Sequence, residues 1–309
     1  MIYTISVRTD IPTYYWEWFS NRLSDGFCYV RNPYYPEKVS KYSLKPEDVD
    51  SFCFLSKNYE RLLSPRAGEI SFDDLVKTYP CSFLYTITPY GKDIEARVPS
   101  IDESIDMFVE MSRRSSKDQM TWFFDPLFFY KQYDEDYILS QFEYMARRLA
   151  PYTHNCSTGF INLYEKTKRN LPEAILPDPS VKFRILDKMT EIAEKTGLHL
   201  QMCGMTDYEN PKILRTPCVT LSMLEEQTGI KFKDIKAKGD CIMCGKKIQT
   251  RDLGVYNSCY SHCKYCYACE SPLSATKLQK EYDKDSPILL DHIREDDIIS
   301  EAKQISYRK

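Results

Sequence analysis

Four cysteines near the carboxyl end of the chain are the residues best suited to do chemistry. The segment "NSCYSHCKYCYACE" (257–270) carries Cys259, Cys263 and Cys266 in a C-x3-C-x2-C pattern, and Cys269 follows them. Thiolates are soft ligands suited to iron–sulfur clusters or zinc. A cubane held by three thiolates has one iron without a protein ligand, and that iron can bind a small molecule and deliver an electron to it. The spacing therefore predicts a [4Fe-4S] cluster with an open iron.

A zinc ribbon is the competing interpretation of this region. A structural zinc site takes four ligands, typically from two C-x2-C pairs. The chain offers such pairs at Cys241 and Cys244 and at Cys263 and Cys266. This assignment uses neither Cys259 nor Cys269, so the sequence favours the cluster over the ribbon.

Further thiols outside the C-x3-C-x2-C triad are numerous enough for a second metal site: Cys203, Cys218, Cys241 and Cys244. Four cysteines are the usual full complement of a cubane. An auxiliary [4Fe-4S] cluster is therefore the first interpretation, and a zinc site or no metal at all are the alternatives.

Composition narrows the class of protein. The net charge of the 309-residue chain is −3 at pH 7, which argues against nucleic-acid binding because that usually needs a basic face. The amino-terminal segment lacks the features of a signal peptide, and no apolar run approaches a membrane span. We therefore expect a cytoplasmic protein with no membrane partner, in which so many cysteines indicate metal or redox chemistry. Four cysteines in apolar surroundings are expected in the core: Cys28, Cys53, Cys81 and Cys156.

Alternating strand and helix patterns predict the elements that position these residues. Short strands and amphipathic helices recur from "IYTISV" (2–7), through "FCYVR" (27–31), to the helix "TLSMLEEQTG" (220–229), which Gly229 is expected to end. Six or seven such βα units imply a parallel sheet with helices outside, and their number favours a (β/α) barrel, complete or partial. No Gly-x-Gly-x-x-Gly follows any strand, so dinucleotide binding has no support.

The chain changes in character near residue 230. Residues 1–230 are expected to form the barrel, and residues 231–309 a cysteine-rich cluster-binding region that completes the site. The segment "TRDLGVYN" (250–257) is predicted to be the strand that closes the sheet and presents the cluster at its carboxyl end. Catalytic groups of (β/α) barrels gather at that end. The tail beyond the cysteines is expected to hold one or two surface helices.

Polar residues follow the predicted strands, where a barrel turns side chains toward its site. The candidates for substrate binding are Arg8, Asp10, Arg31, Lys57, Asn58 and Asp125. Arg8, Arg31 and Lys57 are suited to bind a carboxylate or phosphate, so we expect a polar or anionic small-molecule substrate. In the competing interpretation, Asp10 and Asp125 cap the helices that follow them.

The segment "CYSHCKYCY" (259–267), with Tyr265 just before the last cysteine of the triad, closely resembles the signature of radical S-adenosylmethionine (SAM) enzymes, in particular that of spore photoproduct lyases. The resemblance implies that SAM chelates the open iron. It also implies that one electron, from a low-potential donor such as flavodoxin or ferredoxin, cleaves SAM to a 5′-deoxyadenosyl radical that abstracts hydrogen from a substrate. Tyr265 and His262 are expected to contact SAM or the cluster. In most such enzymes the motif follows the first barrel strand, so its late position here implies a permuted arrangement.

Further segments resemble a bacterial family catalogued as domain of unknown function 1848, over most of residues 1–290. They are "ISVRTDIPTYYWEWFSNRL", "YVRNPYYPEKVSKYSLKPEDVDSFCFLSKN", "YTITPYGKDIEARVP", "WFFDP", "FINLYEKTKRNL" and "RDLGVYNSCYSHCKYCYA". The resemblance implies a radical-SAM-like protein with its cysteine motif at the carboxyl end, and cysteines tend to occur in the family at the positions of Cys203 and Cys218. The chain departs from the family pattern at Phe123, where the family has arginine, and in the longer spacing of "DCIMCGKKIQTRDLG".

The sequence thus leads to a radical SAM enzyme that acts on an unknown polar or anionic substrate. Two alternatives stay open. One is a zinc-ribbon binding protein on a barrel scaffold, and the other is an iron–sulfur protein that transfers electrons or senses redox state.

Overall fold

A computed structural model of the chain describes residues 1–202, 208–216, 219–233 and 250–309. Its strands are β1 (Ile2–Ile5), β2 (Phe27–Arg31), β3 (Lys38–Ser43), β4 (Ser51–Ser56), β5 (Cys81–Thr86), β6 (Met120–Leu127), β7 (Asn155–Phe160), β8 (His199–Met202), β9 (Leu214–Arg215), β10 (Arg251–Asp252) and β11 (Ile298–Glu301). Its helices are α1 (Ile11–Tyr14), α2 (Trp16–Asp25), α3 (Glu60–Leu63), α4 (Phe72–Thr78), α5 (Ile101–Arg114), α6 (Glu135–Leu149), α7 (Glu165–Asn170), α8 (Pro179–Thr196), α9 (Leu221–Thr228) and α10 (Pro272–Leu278).

Eight of these strands form one parallel sheet in the order β10-β1-β4-β5-β6-β7-β8-β9. Helices lie in each connection of this sheet from β1 through β8, as expected for parallel pairing, so the predicted parallel α/β sheet is confirmed. The predicted strand after residue 250 is also present, because Arg251 and Asp252 pair with Tyr3 and Thr4 of β1. In the described residues β9 and β10 do not pair, so the closed barrel stays a prediction, as does the boundary near residue 230.

Both faces of the parallel sheet are covered, which explains why its strands are apolar almost throughout. One face carries large aromatic side chains that pack in the main core: Phe52, Phe54, Phe83, Tyr85, Trp122 and Phe124. The residues that alternate with them form a second cluster with Met223 and Leu224 of α9: Ile2, Cys53, Leu84 and Phe123. We call this second face the inner face of the sheet.

The helix ends follow their sequence signals. Ser100 and Glu103 form a capping box at the start of α5, which satisfies backbone N–H groups that the helix cannot pair internally. The predicted helix at 220–229 is confirmed as α9, and Gly229 ends it with a left-handed φ of 70°. Glycine adopts this conformation without steric cost.

One predicted strand belongs to a different sheet. The segment Phe27–Arg31 was expected in the parallel sheet, but β2 pairs antiparallel with β3 in a separate sheet of order β11-β3-β2. The physical reason is the short connection between β2 and β3, which suits a return in the opposite direction and is too short for a parallel crossover. The tail contributes β11 to this sheet as well as the expected helix, α10.

Cysteines outside the triad divide into two groups. Those expected in the core are fully buried: Cys28, Cys53, Cys81 and Cys156. Those proposed for a second metal site lie outside the described residues: Cys203, Cys218, Cys241 and Cys244.

In the described part of the chain, none of the helices has the length and apolar character needed to cross a membrane.

Candidate functional site

The end of β10 is fastened to the end of β1 by one carboxylate. Asp252 Oδ1 accepts hydrogen bonds from the backbone N–H groups of Val7 (3.2 Å) and Gly254 (3.1 Å), and Oδ2 accepts one from Arg8 Nε (2.5 Å). A Cβ on Gly254 would lie 3.0 Å from the backbone nitrogen of Thr9, so the close approach of the two segments requires glycine. This joint places the segment after β10 at the carboxyl end of the sheet.

The segment 257–270, here called the cysteine loop, is held by α1. Tyr15 Oη donates a hydrogen bond to the backbone oxygen of Ser258 at 2.6 Å, and Tyr14 Oη lies 3.2 Å from Ser261 Oγ. Because α1 directly follows β1, these contacts place the cysteine loop over the carboxyl end of the parallel sheet.

A second helix, α7, holds the other side of the cysteine loop. Lys166 donates a short hydrogen bond to the backbone oxygen of Tyr267, and Arg169 forms an ion pair with Glu270. Since α7 follows β7, the loop is anchored to elements on two distant strands of the same sheet.

Three thiols of the cysteine loop lie near enough for their charges to act on one another. Cys259, Cys263 and Cys266 are half-buried and free of disulfides. Burial raises the pKa of the Cys259 and Cys263 thiols, and the neighbouring thiols of the triad raise it further. Burial also raises the pKa of the Cys269 thiol, as does the charge of Cys266, so the fourth cysteine lies in the same neighbourhood. Its thiol donates a hydrogen bond to the backbone oxygen of Ser271 at 3.3 Å.

Among the described residues, the cysteine loop does not form a site for a single metal ion. Within these ranges, no three His, Cys, Asp or Glu side chains lie together as one metal ion would require. In an iron–sulfur cube held by three cysteines, each thiolate would bind a different iron. Cys266 Sγ accepts an N–H from Ala268 at 3.4 Å, and hydrogen bonds to sulfur are one way in which proteins tune such clusters. Bound iron would deprotonate the buried thiols.

A buried carboxylate, Glu95, organises the polar groups beside Cys263. Its Oε1 accepts hydrogen bonds from Lys57 Nζ (2.9 Å), Thr88 Oγ1 (2.6 Å) and Tyr265 Oη. The backbones of Glu95 and Cys263 also form a bridge, and the Lys57 ammonium lies 5.7 Å from the centre of the Tyr265 ring. Tyr265, expected at the cofactor, is therefore fixed by its hydroxyl to the network next to the triad.

One of the predicted substrate-binding residues, Asp10, caps a helix, and another, Asn58, forms a turn just before one. Asp10 Oδ1 accepts from the backbone N–H of Thr13 (3.1 Å), and Ser56 Oγ donates to both of its carboxylate oxygens (2.8 and 2.9 Å). Burial raises the pKa of Asp10 to about 6. Asn58 Oδ1 accepts from the backbone N–H of Glu60 at 2.9 Å, at the start of α3. The cap interpretation of Asp10 is confirmed, and its charge also acts on Cys259.

Asp125 differs from Asp10 because its carboxylate has no hydrogen-bond partner and caps no helix among the described residues. Alternation along β6 places it on the inner face, two residues beyond Phe123. A Cβ on Gly159 would lie 3.0 Å from Asp125 Oδ2, so the glycine of the neighbouring strand β7 makes room for the carboxylate. Burial raises the pKa of Asp125 to about 7, and the Lys57 ammonium opposes this rise.

His262 lies in the cysteine loop with a left-handed φ of 54°. Its Nε2 is buried without a hydrogen-bond partner in the described part of the chain, and burial lowers the pKa of the imidazole, as does the charge of Arg97. The ring is therefore neutral at pH 7 and offers an unpaired nitrogen beside the triad, where contact with a cofactor was expected.

Arg31 is not brought to this site. Its strand lies in the three-stranded sheet, where its guanidinium pairs with Asp291 and Asp297 of the tail. The expectation that Arg31 follows a strand of the parallel sheet is wrong, because β2 is not part of that sheet.

Arg8 and Lys57 do lie at the carboxyl end of the parallel sheet, but each is already paired. Arg8 is bound by Asp252, and Lys57 is bound by Glu95. Neither carboxylate was among the residues proposed from sequence. Asp252 and Glu95 lie in segments that carry the family resemblance, but a single loop acid has no pattern that marks it as a site residue.

Fold and site together define a parallel α/β protein with a cysteine loop across the carboxyl ends of its strands. The chain belongs to the family described as "Domain of unknown function (DUF1848)", whose model matches residues 2–268. No curated protein matches the chain.

Proposed function

We propose that the protein is a radical SAM enzyme. Cys259, Cys263 and Cys266 would hold a [4Fe-4S] cluster whose fourth iron is free to bind SAM. One observation carries the proposal: the loop that bears the C-x3-C-x2-C triad is held by Tyr15 over the carboxyl end of the parallel sheet, and Cys259 and Cys266 both act on the Cys263 thiol there. This is the donor set that a cluster with one open iron needs.

The position of the loop supports the same conclusion. The strand order of the parallel sheet is compatible with an eight-stranded (β/α) barrel, because its last strand lies beside its first. We propose that the sheet is such a barrel in permuted form. Its carboxyl end, where barrel enzymes place catalytic groups, is the end that the cysteine loop covers.

When bound and reduced, the cluster would supply the electron that cleaves SAM to a 5′-deoxyadenosyl radical. The chain's own residues position this chemistry. Tyr14 and Tyr15 fix the backbone on one side of the triad, while the Glu95 network fixes Tyr265 on the other. The neutral imidazole of His262 is available to accept a hydrogen bond.

Partners and location follow from this assignment as further proposals. The enzyme would need a low-potential electron donor, such as flavodoxin or ferredoxin, and would work in the cytoplasm. Cysteines outside the described residues would bind an auxiliary cluster: Cys203, Cys218, Cys241 and Cys244.

Anaerobic reconstitution with iron and sulfide tests the proposal. We expect a brown protein that converts SAM to 5′-deoxyadenosine after reduction, measured by liquid chromatography. Cys263→Ala should abolish this activity, because one corner of the cluster loses its thiolate. Cys269→Ala is the matched control and should retain it, because this thiol lies outside the C-x3-C-x2-C triad and hydrogen-bonds to the backbone oxygen of Ser271.

Three outcomes would overturn the assignment. Equal SAM cleavage by Cys263→Ala and the parent would remove the role of the triad. Zinc without iron or sulfide would indicate the ribbon. A reducible cluster whose spectrum does not change when SAM is added would indicate an electron-transfer or redox-sensing protein.

A further inference from the structure

The cations at the carboxyl end of the parallel sheet that were expected to bind an anionic substrate are already paired. Arg8 and Lys57 were expected to bind a carboxylate or phosphate, but Asp252 and Glu95 already neutralise them, at 2.5 Å and 2.9 Å. A cation held in a close ion pair has little attraction left for a second anion.

Two further carboxylates at this end, Asp10 and Asp125, have no cationic partner at ion-pair distance. Asp10 is satisfied in another way, since Ser56 and Thr13 donate hydrogen bonds to it. Asp125 accepts no hydrogen bond from any described residue, and Lys57 alone among the described cations acts on its pKa.

The Asp125 carboxylate packs closely against Gly159 of the neighbouring strand. A Cβ at Gly159 would lie 3.0 Å from Oδ2, so a larger residue would press on the carboxylate. Asp125 also lies on the inner face of β6, and the Lys57–Glu95 pair links this position to Cys263. Asp125 and the cysteine loop thus lie at the same end of the sheet.

We propose that Asp125 binds a protonated amine of the substrate, so that the substrate class is a cationic amine rather than an anion. This inference rests on the proposed function, because it assigns the substrate of the same site. An ammonium group supplies the hydrogen-bond donors and the opposite charge that Asp125 lacks among the described residues. It would also favour the ionised carboxylate and so lower the pKa that burial raises.

Binding of two small probes of similar shape and opposite charge tests the inference. We would measure the affinity of benzylammonium and of benzoate by calorimetry at pH 7.5, without SAM, on the full chain before and after cluster reconstitution. Benzylammonium should bind at least about tenfold more tightly than benzoate, the ratio of one charge-assisted hydrogen bond.

Variants test whether Asp125 is responsible for the preference for benzylammonium over benzoate. Asp125→Asn keeps the shape and removes the charge, and should weaken benzylammonium binding about tenfold. Gly159→Ala should also weaken it, because the new Cβ displaces an intact carboxylate. Asp136→Asn, an exposed acid at the start of α6, is the matched control and should bind like the parent.

The inference is overturned if benzoate binds as tightly as benzylammonium, or if Asp125→Asn binds benzylammonium like the parent. Circular dichroism of each variant confirms folding. Because no measurement involves SAM cleavage, a protein that fails the test of radical chemistry still gives a result here, and the two failures are distinguishable.

Discussion

At the scale of single residues, burial controls the ionisation of the acids at the carboxyl end of the sheet. Asp10 is 7% exposed, and burial raises its pKa from 3.8 to about 6, although Ser56 and Thr13 donate to it. In the folded state this group therefore binds a proton at a pH at which the unfolded chain has already lost it. The carboxylate is kept at the cost of stability.

The effect of Asp10 on the free energy of unfolding should depend on pH in a predictable direction. Because the folded pKa is raised, stability from this group is full below about pH 4 and is lost as pH rises to about 6. In the parent, this loss amounts to up to about 3 kcal/mol, from about two pKa units. Asp10→Asn should lack this fall, so that its free energy of unfolding relative to the parent rises between pH 4.5 and 8. Urea unfolding of the metal-free protein checks it.

Asp136→Asn is the control for this pH experiment, because its carboxyl is exposed on the surface of α6. It should follow the pH dependence of the parent. Parallel pH profiles for Asp10→Asn and the parent would contradict the assignment of a raised pKa to Asp10.

At the scale of elements, α9 determines how the inner face of the sheet is filled. Its apolar residues pack on that face, and its buried Gln227 forms two side-chain hydrogen bonds. Ser82 Oγ of β5 donates to Gln227 Oε1 at 2.5 Å, and Gln227 Nε2 donates to Thr121 Oγ1 of β6 at 2.9 Å. One amide thus joins a helix to two central strands below the site.

Gln227→Ala should lower the free energy of unfolding by about 2–4 kcal/mol, because two buried hydroxyls lose their partner. Glu226→Ala changes the neighbouring exposed residue and should shift the free energy by no more than about 0.5 kcal/mol. Guanidinium unfolding of both variants gives the comparison. Equal midpoints would show that α9 does not depend on this amide.

At the scale of the whole molecule, both ends of the chain are held by polar contacts. The segment after the cysteine loop (271–309), here called the tail, takes part in most of them. Asp50 pairs with the amino group of Met1 at 2.9 Å and accepts a hydrogen bond from Ser306 Oγ at 2.8 Å. Arg31 binds Asp291 and Asp297 of the tail. Arg31 therefore serves the architecture, and we expect no role for it in substrate binding.

Arg31→Ala should destabilise the protein, since it removes the guanidinium that pairs with both Asp291 and Asp297. It should also speed proteolytic cleavage of the tail. Arg294→Ala is the control, because Arg294 is exposed and surface pairs contribute at most about 1 kcal/mol. Limited proteolysis and guanidinium unfolding report both effects. Unchanged cleavage of the Arg31 variant would show that the tail is held elsewhere.

Local patterns were enough to predict several parts of the fold. The helix ending at Gly229, the parallel sheet and the strand after residue 250 all depend on short-range periodicity and turn residues. Local patterns could not assign Phe27–Arg31 to its sheet, because the sequence of one strand does not specify which strand it pairs with. The family resemblance was likewise visible in the sequence and is confirmed over residues 2–268.

By itself, the sequence determined the elements and the spacing of the cysteines, because both are set by residues close together in the chain. Only the tertiary structure decided which charges remain available. It paired Lys57 with Glu95 and Arg8 with Asp252 across long stretches of chain, and it left Asp125 unpaired among the described residues. Such pairings depend on which loops come into contact above the sheet, and local sequence patterns do not predict contacts between residues far apart in the chain.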